Sequence, residues 1–314
     1  MPYKKPLIVI AGPTACGKTA SSVALAKKIG GEIISADSMQ VYKFMDIGTA
    51  KIRDEEKEGI SHYLIDEFMP DDEFNVKIFQ ERANYYIDKI YKNGHIPILV
   101  GGTGFYINAV VYNNNFMETD GDDSYRKILE NEAESLGPEY LYEMLKTIDM
   151  DYAESIHCNN TKRIIRALEF YHQTGKKLSE HNKVQHMNES PYNTAFFVLN
   201  MDRKILYDRI NKRVDIMLEE GLADEVKKLL NMGYSQKLVS MQGLGYKEML
   251  PYINGDLSLN DAADEIKKRT RHFAKRQLTW FKHQSDGYWI DITGRDTDFA
   301  VSQMIDYLKE REIV

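Results

Sequence analysis

The first third of the chain alternates short, nearly all-apolar runs with stretches whose apolar residues recur at helical spacing. Leu7–Ala11 (LIVIA) is a β-rich run that stops at Gly12-Pro13. Lys18–Ile29 then carries Ala20, Val23 and Ala24 at helical spacing, and Gly30-Gly31 ends the helix. Glu32–Ala36 (EIISA) is a second strand, and Phe74–Tyr91 a helix that stops at Asn93-Gly94. Ile96–Val100 (IPILV) is a third strand running into another glycine loop. Nearly all-apolar strands separated by helices predict a parallel sheet covered on both faces. After Tyr112 the pattern changes. Asn113-Asn114-Asn115 is a turn cluster, and from there to about Pro191 the spacing predicts several amphipathic helices. Ala195–Met201 (AFFVLNM) restores a strand, followed by long helices over Arg203–Met232 and Asn260–His283. The expected architecture is an α/β parallel-sheet core, residues 1–114 and 195–314, interrupted by a helical insertion, residues 115–194.

Composition narrows the class. With 314 residues, 28% of them charged and 43% apolar, the chain matches ordinary soluble enzymes. The longest apolar runs fall far short of a bilayer span, so no membrane partner is expected. No N-terminal stretch has the layout of a secretory leader. Two cysteines, Cys16 and Cys158, supply neither a disulfide framework nor a zinc cluster. The expected compartment is cytoplasmic, and no obligatory protein partner is evident. A net charge of −7 argues at first against a nucleic-acid partner. The distribution reverses that argument: Glu118–Glu154 holds twelve acidic residues against three basic, whereas Lys267–His283 holds seven Lys or Arg and no acid. Such a chain can offer one basic face while remaining acidic overall.

Gly12-Pro13-Thr14-Ala15-Cys16-Gly17-Lys18-Thr19 satisfies G-x-x-x-x-G-K-[ST] at every fixed position, between a strand and a helix. In such a P-loop the glycines let successive N–H groups converge on phosphate oxygens, and the helix N-terminus adds partial positive charge. Lys18 supplies a mobile point charge, and Thr19 can hold Mg²⁺ together with phosphate oxygens and water. The fold class is therefore P-loop NTPase-like. An ATP-using kinase would also place a Mg²⁺-holding aspartate at the end of an apolar strand. Ile96–Val100 ends instead in Gly101-Gly102-Thr103-Gly104, which weakens the kinase alternative.

Ligands of open parallel sheets sit beyond the carboxyl ends of the strands. Asp37 ends the second strand there, in Asp37-Ser38-Met39-Gln40-Val41-Tyr42, although a lone loop aspartate also reads as a turn or cap. Gly101-Gly102-Thr103-Gly104-Phe105-Tyr106 reaches the same edge; it allows close backbone approach and offers the Thr103 hydroxyl. Alone, it is equally a tight turn.

Taken together, GPTACGKT, ISADSMQVYKFMDIGTAK, LVGGTGFYI, RIIRALE, RINKRVDIMLEEGLADEV and QGLGYKE, in that order from Gly12 to Glu248, resemble the tRNA dimethylallyltransferase family. The resemblance implies transfer of a dimethylallyl group from dimethylallyl diphosphate to N6 of the adenosine at position 37 of tRNA, in the anticodon stem-loop. By that resemblance Gly12, Thr14, Ala15, Cys16, Gly17, Lys18 and Thr19 clamp the donor diphosphate with Mg²⁺, and Arg213 adds a second positive clamp. Asp37 receives the N6 proton, and Thr103 orients the target nucleotide. Ser38, Met39 and Gln40 lie along the tRNA, as do Arg126, Lys162, Arg163 and Arg166. Cys16 departs from the family, whose members usually have Ser or Gly there. The zinc-finger tail of eukaryotic members has no counterpart, in keeping with two cysteines.

Reaching N6 requires the base to leave its stack. Tyr42, Phe105 and Tyr106 are stacking candidates, with buried core the reading for at least two of them. Phe273, Trp280 and Phe281 interleave with the basic residues of Lys267–His283, so that helix faces either RNA or the core, or each with a different side. Asp71-Asp72-Glu73 and Asp120-Gly121-Asp122-Asp123 lack the D-D-x-x-D spacing of prenyl synthases and read as solvated turns.

Overall fold

The computed structural model describes residues 4–116, 124–186 and 188–314. The chain divides into two compact units, Met1–Val111 with Ser190–Val314, and Tyr112–Glu189. The Asp120–Asp123 cluster falls outside the described residues.

The first unit is built on a six-stranded sheet. Its strands are β1 (Pro6–Ala11), β2 (Gly31–Ala36), β3 (His62–Tyr63), β4 (Ile96–Gly101), β5 (Asn193–Asn200) and β6 (Tyr288–Asp291). They lie in the order β3-β2-β4-β1-β5-β6, with every neighbouring pair parallel. The inner strands are apolar on both faces because helices cover both faces. Ile8, Ile10, Phe197 and Leu199 join Ala300, Val301, Met304 and Leu308 of the helix Thr297–Glu310 in one buried cluster. Register places the functional loops. Ala11 is opposite both Gly101 and Val198, and Ala36 is opposite Gly101. The strands that precede Gly12, Asp37 and Gly102 therefore end level, and all three loops leave the same edge.

At the opposite end of β2, the buried Glu32 accepts hydrogen bonds from Tyr63 Oη at 2.5 Å and Asn93 Nδ2 at 3.2 Å, and pairs with His95. Burial alone would raise its carboxyl; the bonds outweigh burial and hold it below the ordinary range.

Helix Lys18–Ile29 spans the expected residues. The expected helix Arg203–Met232 is two helices, Arg203–Glu219 and Leu222–Asn231, separated at Gly221 with φ 97°. A left-handed glycine breaks the ladder while leaving the apolar spacing almost in phase. Strands β3 and β6 have no counterpart in the periodicity. The first has two residues, and in the second only Ile290 of four is buried.

In the second unit the helices are Ser124–Leu136, Pro138–Ile148, Met150–Glu154, Thr161–Thr174 and Leu178–His186. They pack around Leu129, Leu141, Leu145, Ile164 and Leu168. The buried Asp149 accepts from Tyr152 N at 3.1 Å and Ser179 N at 2.9 Å, fixing two helix starts with one carboxylate. No helix among the described residues is long and apolar enough to cross a membrane.

Candidate functional site

The turn after β1 needs its glycines. Gly12 has φ 149°, and a Cβ there would come within 2.6 Å of Leu199 O. Cys16 is fully buried and belongs to the sheet core. Gly17, in the left-handed region, starts helix Lys18–Ile29 with no side-chain cap and no acid in the first turn. The free N–H groups and helix dipole of that end are the standard means of holding an anion. Lys18 Nζ donates to Gly12 O at 3.1 Å and Pro13 O at 2.7 Å, so its side chain folds back over the loop. Arg213 Nη1 donates to Thr14 Oγ1 at 3.4 Å, bringing the second cation to the loop across 199 positions.

Thr14, Gly17, Lys18, Thr19, Asp37 and Arg213 line one cavity of about 1080 Å³. Ala15 and Gln40 share that lining, as do the apolar Ile52, Ile65, Met217 and Phe273. Ser38, Met39 and Thr103 are not in its wall. Asp37 Oδ1 accepts from Met39 N at 2.9 Å, a turn-type bond that fixes the carboxylate. Burial raises the Asp37 carboxyl above its ordinary range, against the Met39 bond and the charges of Lys18 and Arg213. Burial likewise lowers the Lys18 ammonium, with Arg213 adding to the depression and Asp37 opposing it. Arg213 is pulled down by burial too. Two desolvated cations and one desolvated carboxylate thus face a common space, an arrangement typical of sites that use charge. Asp202, two residues past β5, accepts from Lys204 N and Ile205 N as a helix cap, so it is occupied by structure.

Thr103 starts the helix Gly104–Val111, its carbonyl accepting from Tyr106 N and Ile107 N. Among the stacking candidates, Tyr42 is buried. Tyr106 packs on Phe74 and Phe79, and burial, with Tyr42 and Asp37 adding, pushes its phenol up to about 12. Phe105 alone is well exposed, at 50%. The Gln40 amide accepts from Ser35 Oγ at 3.1 Å and donates to Thr49 O and Ala50 O.

In the helix Leu259–Gln284, Ala263, Ile266, Thr270, Ala274, Gln277 and Phe281 are buried at three- and four-residue spacing. Lys268, Arg269, His272, Lys275, Arg276 and Lys282 are exposed. Trp280 lies against Gly104, where a Cβ would fall inside the indole. Phe281 is on the core face, whereas Phe273 and Trp280 are half-buried beside the exposed cations, with Arg276 over the Phe273 ring. In the second unit, Lys162, Arg163 and Arg166 are exposed on the helix whose other face buries Ile164, Ile165 and Leu168. Arg126 instead forks onto the buried Glu169, Nε to Oε1 at 2.9 Å and Nη2 to Oε2 at 2.7 Å. Asp71, Asp72 and Glu73 are exposed, with Asp72 accepting from Met69 N.

Sequence reasoning passed over Glu225. Its carboxylate accepts from Asp46 N at 2.8 Å, Ile47 N at 2.8 Å and Gly48 N at 3.1 Å, and from Tyr246 Oη at 2.7 Å. That loop continues into Thr49 and Ala50, which hold Gln40, and into Lys51, whose Nζ reaches Tyr42 O, Asp46 and Asp66. Replacing Glu225 by alanine strands three N–H groups and a buried phenol. The expected destabilisation is about 1–3 kcal/mol, kept modest by water access to the outer N–H groups. It is measured as a fall in the urea midpoint; an unchanged midpoint would refute the anchoring role.

The family model for IPP transferase matches residues 40–284. The chain is 53% identical over 311 residues to the tRNA dimethylallyltransferase of Lachnoclostridium phytofermentans, covering 99% of both chains. It is 52% identical to that of Acetivibrio thermocellus, covering 96% of both. Among solved structures, the full-length tRNA isopentenylpyrophosphate transferase of Bacillus halodurans superposes with a TM-score of 0.75 at 45% identity, covering 98% of this chain and 97% of the other. A eukaryotic dimethylallyltransferase acting on tRNA superposes with a TM-score of 0.83 at 33% identity, covering 98% and 80%.

Proposed function

We propose, because this chain belongs to the IPP transferase family, that it transfers a dimethylallyl group from dimethylallyl diphosphate to N6 of the adenosine at position 37 of tRNA. It is a tRNA-modifying transferase. The observation that carries the residue assignment is that the P-loop, Asp37 and Arg213 line one cavity at the level ends of parallel strands. The kinase alternative lacks support at the strands flanking β1: β4 ends in glycines and Asp202 caps a helix.

In this reading the diphosphate sits on the backbone N–H groups of Ala15–Thr19, with Lys18 and Arg213 over its oxygens. The allylic C–O bond breaks, and diphosphate departs with the bonding electrons. Positive charge aimed at those oxygens stabilises the state in which that charge develops. N6 supplies the electron pair for the new C–N bond and becomes strongly acidic as it forms. Asp37 then takes the proton. Its raised pKa makes it a better acceptor than an ordinary aspartate. Thr103 would hold the nucleotide through its hydroxyl, and Phe105 is the ring best exposed to replace lost stacking. Ser38, Met39 and Gln40 would meet the tRNA by their backbone and turn surface, since the Gln40 amide is engaged within the fold. Lys162, Arg163 and Arg166 would approach its phosphates. Arg126 would contribute by tying its own helix to the one that carries those three cations, through Glu169.

Mg²⁺ fits the site, because the Thr19 hydroxyl is a hard oxygen in the wall of the cavity that would receive the diphosphate oxygens. When bound, it would neutralise charge on the departing diphosphate. A cytoplasmic setting accords with free thiols at Cys16 and Cys158.

The test is incubation of the protein with Mg²⁺, radiolabelled dimethylallyl diphosphate and unmodified tRNA, followed by nucleoside analysis. Label on N6 of the adenosine beside the anticodon is the expected result. ATP turnover without transfer to several competent tRNAs would overturn it.

A further inference from the structure

We propose that Gln277 is a positioning residue that sets the separation of the donor loop and the nucleotide loop. The proposal rests on the prenyl-transfer reading and adds to it a group in the wall of the same cavity that acts through the backbones of two loops.

Gln277 is 6% exposed, on the buried face of the helix Leu259–Gln284. Its one amide spans two loops. Oε1 accepts from Thr14 N at 3.0 Å, in the middle of the P-loop. Nε2 donates to Gly102 O at 3.0 Å, one residue before Thr103. The approach is tight enough to require glycine, since a Cβ at Gly102 would lie 2.1 Å from Nε2. The helix carrying the amide is itself held on both sides. Trp280 packs onto Gly104, and Arg271 Nη1 donates to Asn211 Oδ1 at 2.6 Å. Asn211 belongs to the helix Arg203–Glu219, two residues before Arg213. Donor loop, nucleotide loop and second cationic clamp are thus all referenced to one rigid element.

A buried glutamine can be a merely satisfied core polar group. This one differs in its partners, which are backbone groups of the two loops assigned to opposite reactants. Transfer needs the allylic carbon and N6 at near-attack distance, and misplacement by about 1 Å can cost on the order of 10²-fold in rate. The span requires a donor at one end and an acceptor at the other. Among side chains of this length only glutamine and protonated glutamate provide both.

Two variants test this. In Gln277→Glu the ionised carboxylate still accepts from Thr14 N but offers Gly102 O no proton. Its kcat is expected to fall on the order of 10²-fold, with the dissociation constants for dimethylallyl diphosphate and tRNA, each measured alone, unchanged. Lowering the pH restores the missing donor by protonating the buried carboxyl. The ratio of variant to wild-type kcat should therefore rise as pH falls, dividing out the acid limb both enzymes share. Gln277→Ala should show the kcat loss without the recovery, which keeps the test decisive if the glutamate variant folds poorly. A purely structural glutamine predicts otherwise: lower melting temperature, weaker binding of both substrates and normal kcat per folded enzyme. That outcome, or a Gln277→Glu loss that does not respond to pH, overturns the proposal. The wild type runs in the same assay. If it transfers no label, the prenyl-transfer reading falls and this proposal with it; if it does and both variants keep kcat, the proposal alone falls.

Discussion

Asp37→Asn is expected to lower kcat by about 10²- to 10⁴-fold, the usual contribution of a positioned general base, while tRNA binds nearly as before. Asparagine retains the oxygen that accepts from Met39 N, so the turn is preserved and only the proton acceptor is lost. Stability should not fall with activity. Burial places the folded-state pKa of Asp37 above its unfolded value, so the ionised carboxylate is a cost to the folded protein at neutral pH. The stability this group favours is present below the unfolded pKa and is lost as pH rises through the folded one. Activity has the opposite dependence, because the base must be ionised. In the wild type, kcat/KM should therefore fall on the acid side through a pKa above the ordinary aspartate range, and the asparagine variant should lack that limb. Rates across pH, together with a melting curve, check both halves. Normal turnover in Asp37→Asn would remove Asp37 from the mechanism. A lost rate with an equally lowered melting temperature would make the residue structural.

How much of this site could be read from the chain depends on which groups carry it. The P-loop is contiguous from Gly12 to Thr19, and its requirements for glycine, lysine and hydroxyl are met by side-chain identity. Asp37 and the glycines after β4 were placed at the same edge by the parallel-sheet argument, and the level register of Ala11, Ala36 and Gly101 supplies its geometry. Arg213 was named through family resemblance alone, since nothing local separates it from Arg209 or Lys212 on the same helix. Glu225 and Gln277 escaped notice for a common reason. Each acts on backbone groups, those of residues 46–48 for one and of Thr14 and Gly102 for the other. A backbone N–H or carbonyl has no signature in the sequence, so its partner has none either. The edge strands β3 and β6 were missed because strands this short carry too few residues for a period. The basic helix was readable as amphipathic, yet which aromatic packed inward needed the close approach of Trp280 to Gly104.

Lys18→Ala is expected to damage donor use, lowering kcat by about 10²- to 10³-fold, as for loss of one group that stabilises a developing negative charge. The donor KM should rise as well, because Lys18 meets the diphosphate before and after the bond breaks. The argument begins with the desolvated ammonium. Burial depresses its pKa and Arg213 depresses it further, so the site holds positive charge at a cost that an incoming diphosphate relieves. Arg213→Ala removes the other cation and should act in the same direction, and the double variant should lose less than the product of the single losses because both act on one leaving group. Lys18→Arg is not a rescue. The Lys18 amine fits between Gly12 O at 3.1 Å and Pro13 O at 2.7 Å, a space for a point charge and not for a planar fork. The measurement is a donor titration at saturating tRNA. A Lys18→Ala enzyme whose rate responds to donor concentration like the wild type would show that the loop's backbone N–H groups and Arg213 hold the diphosphate without it.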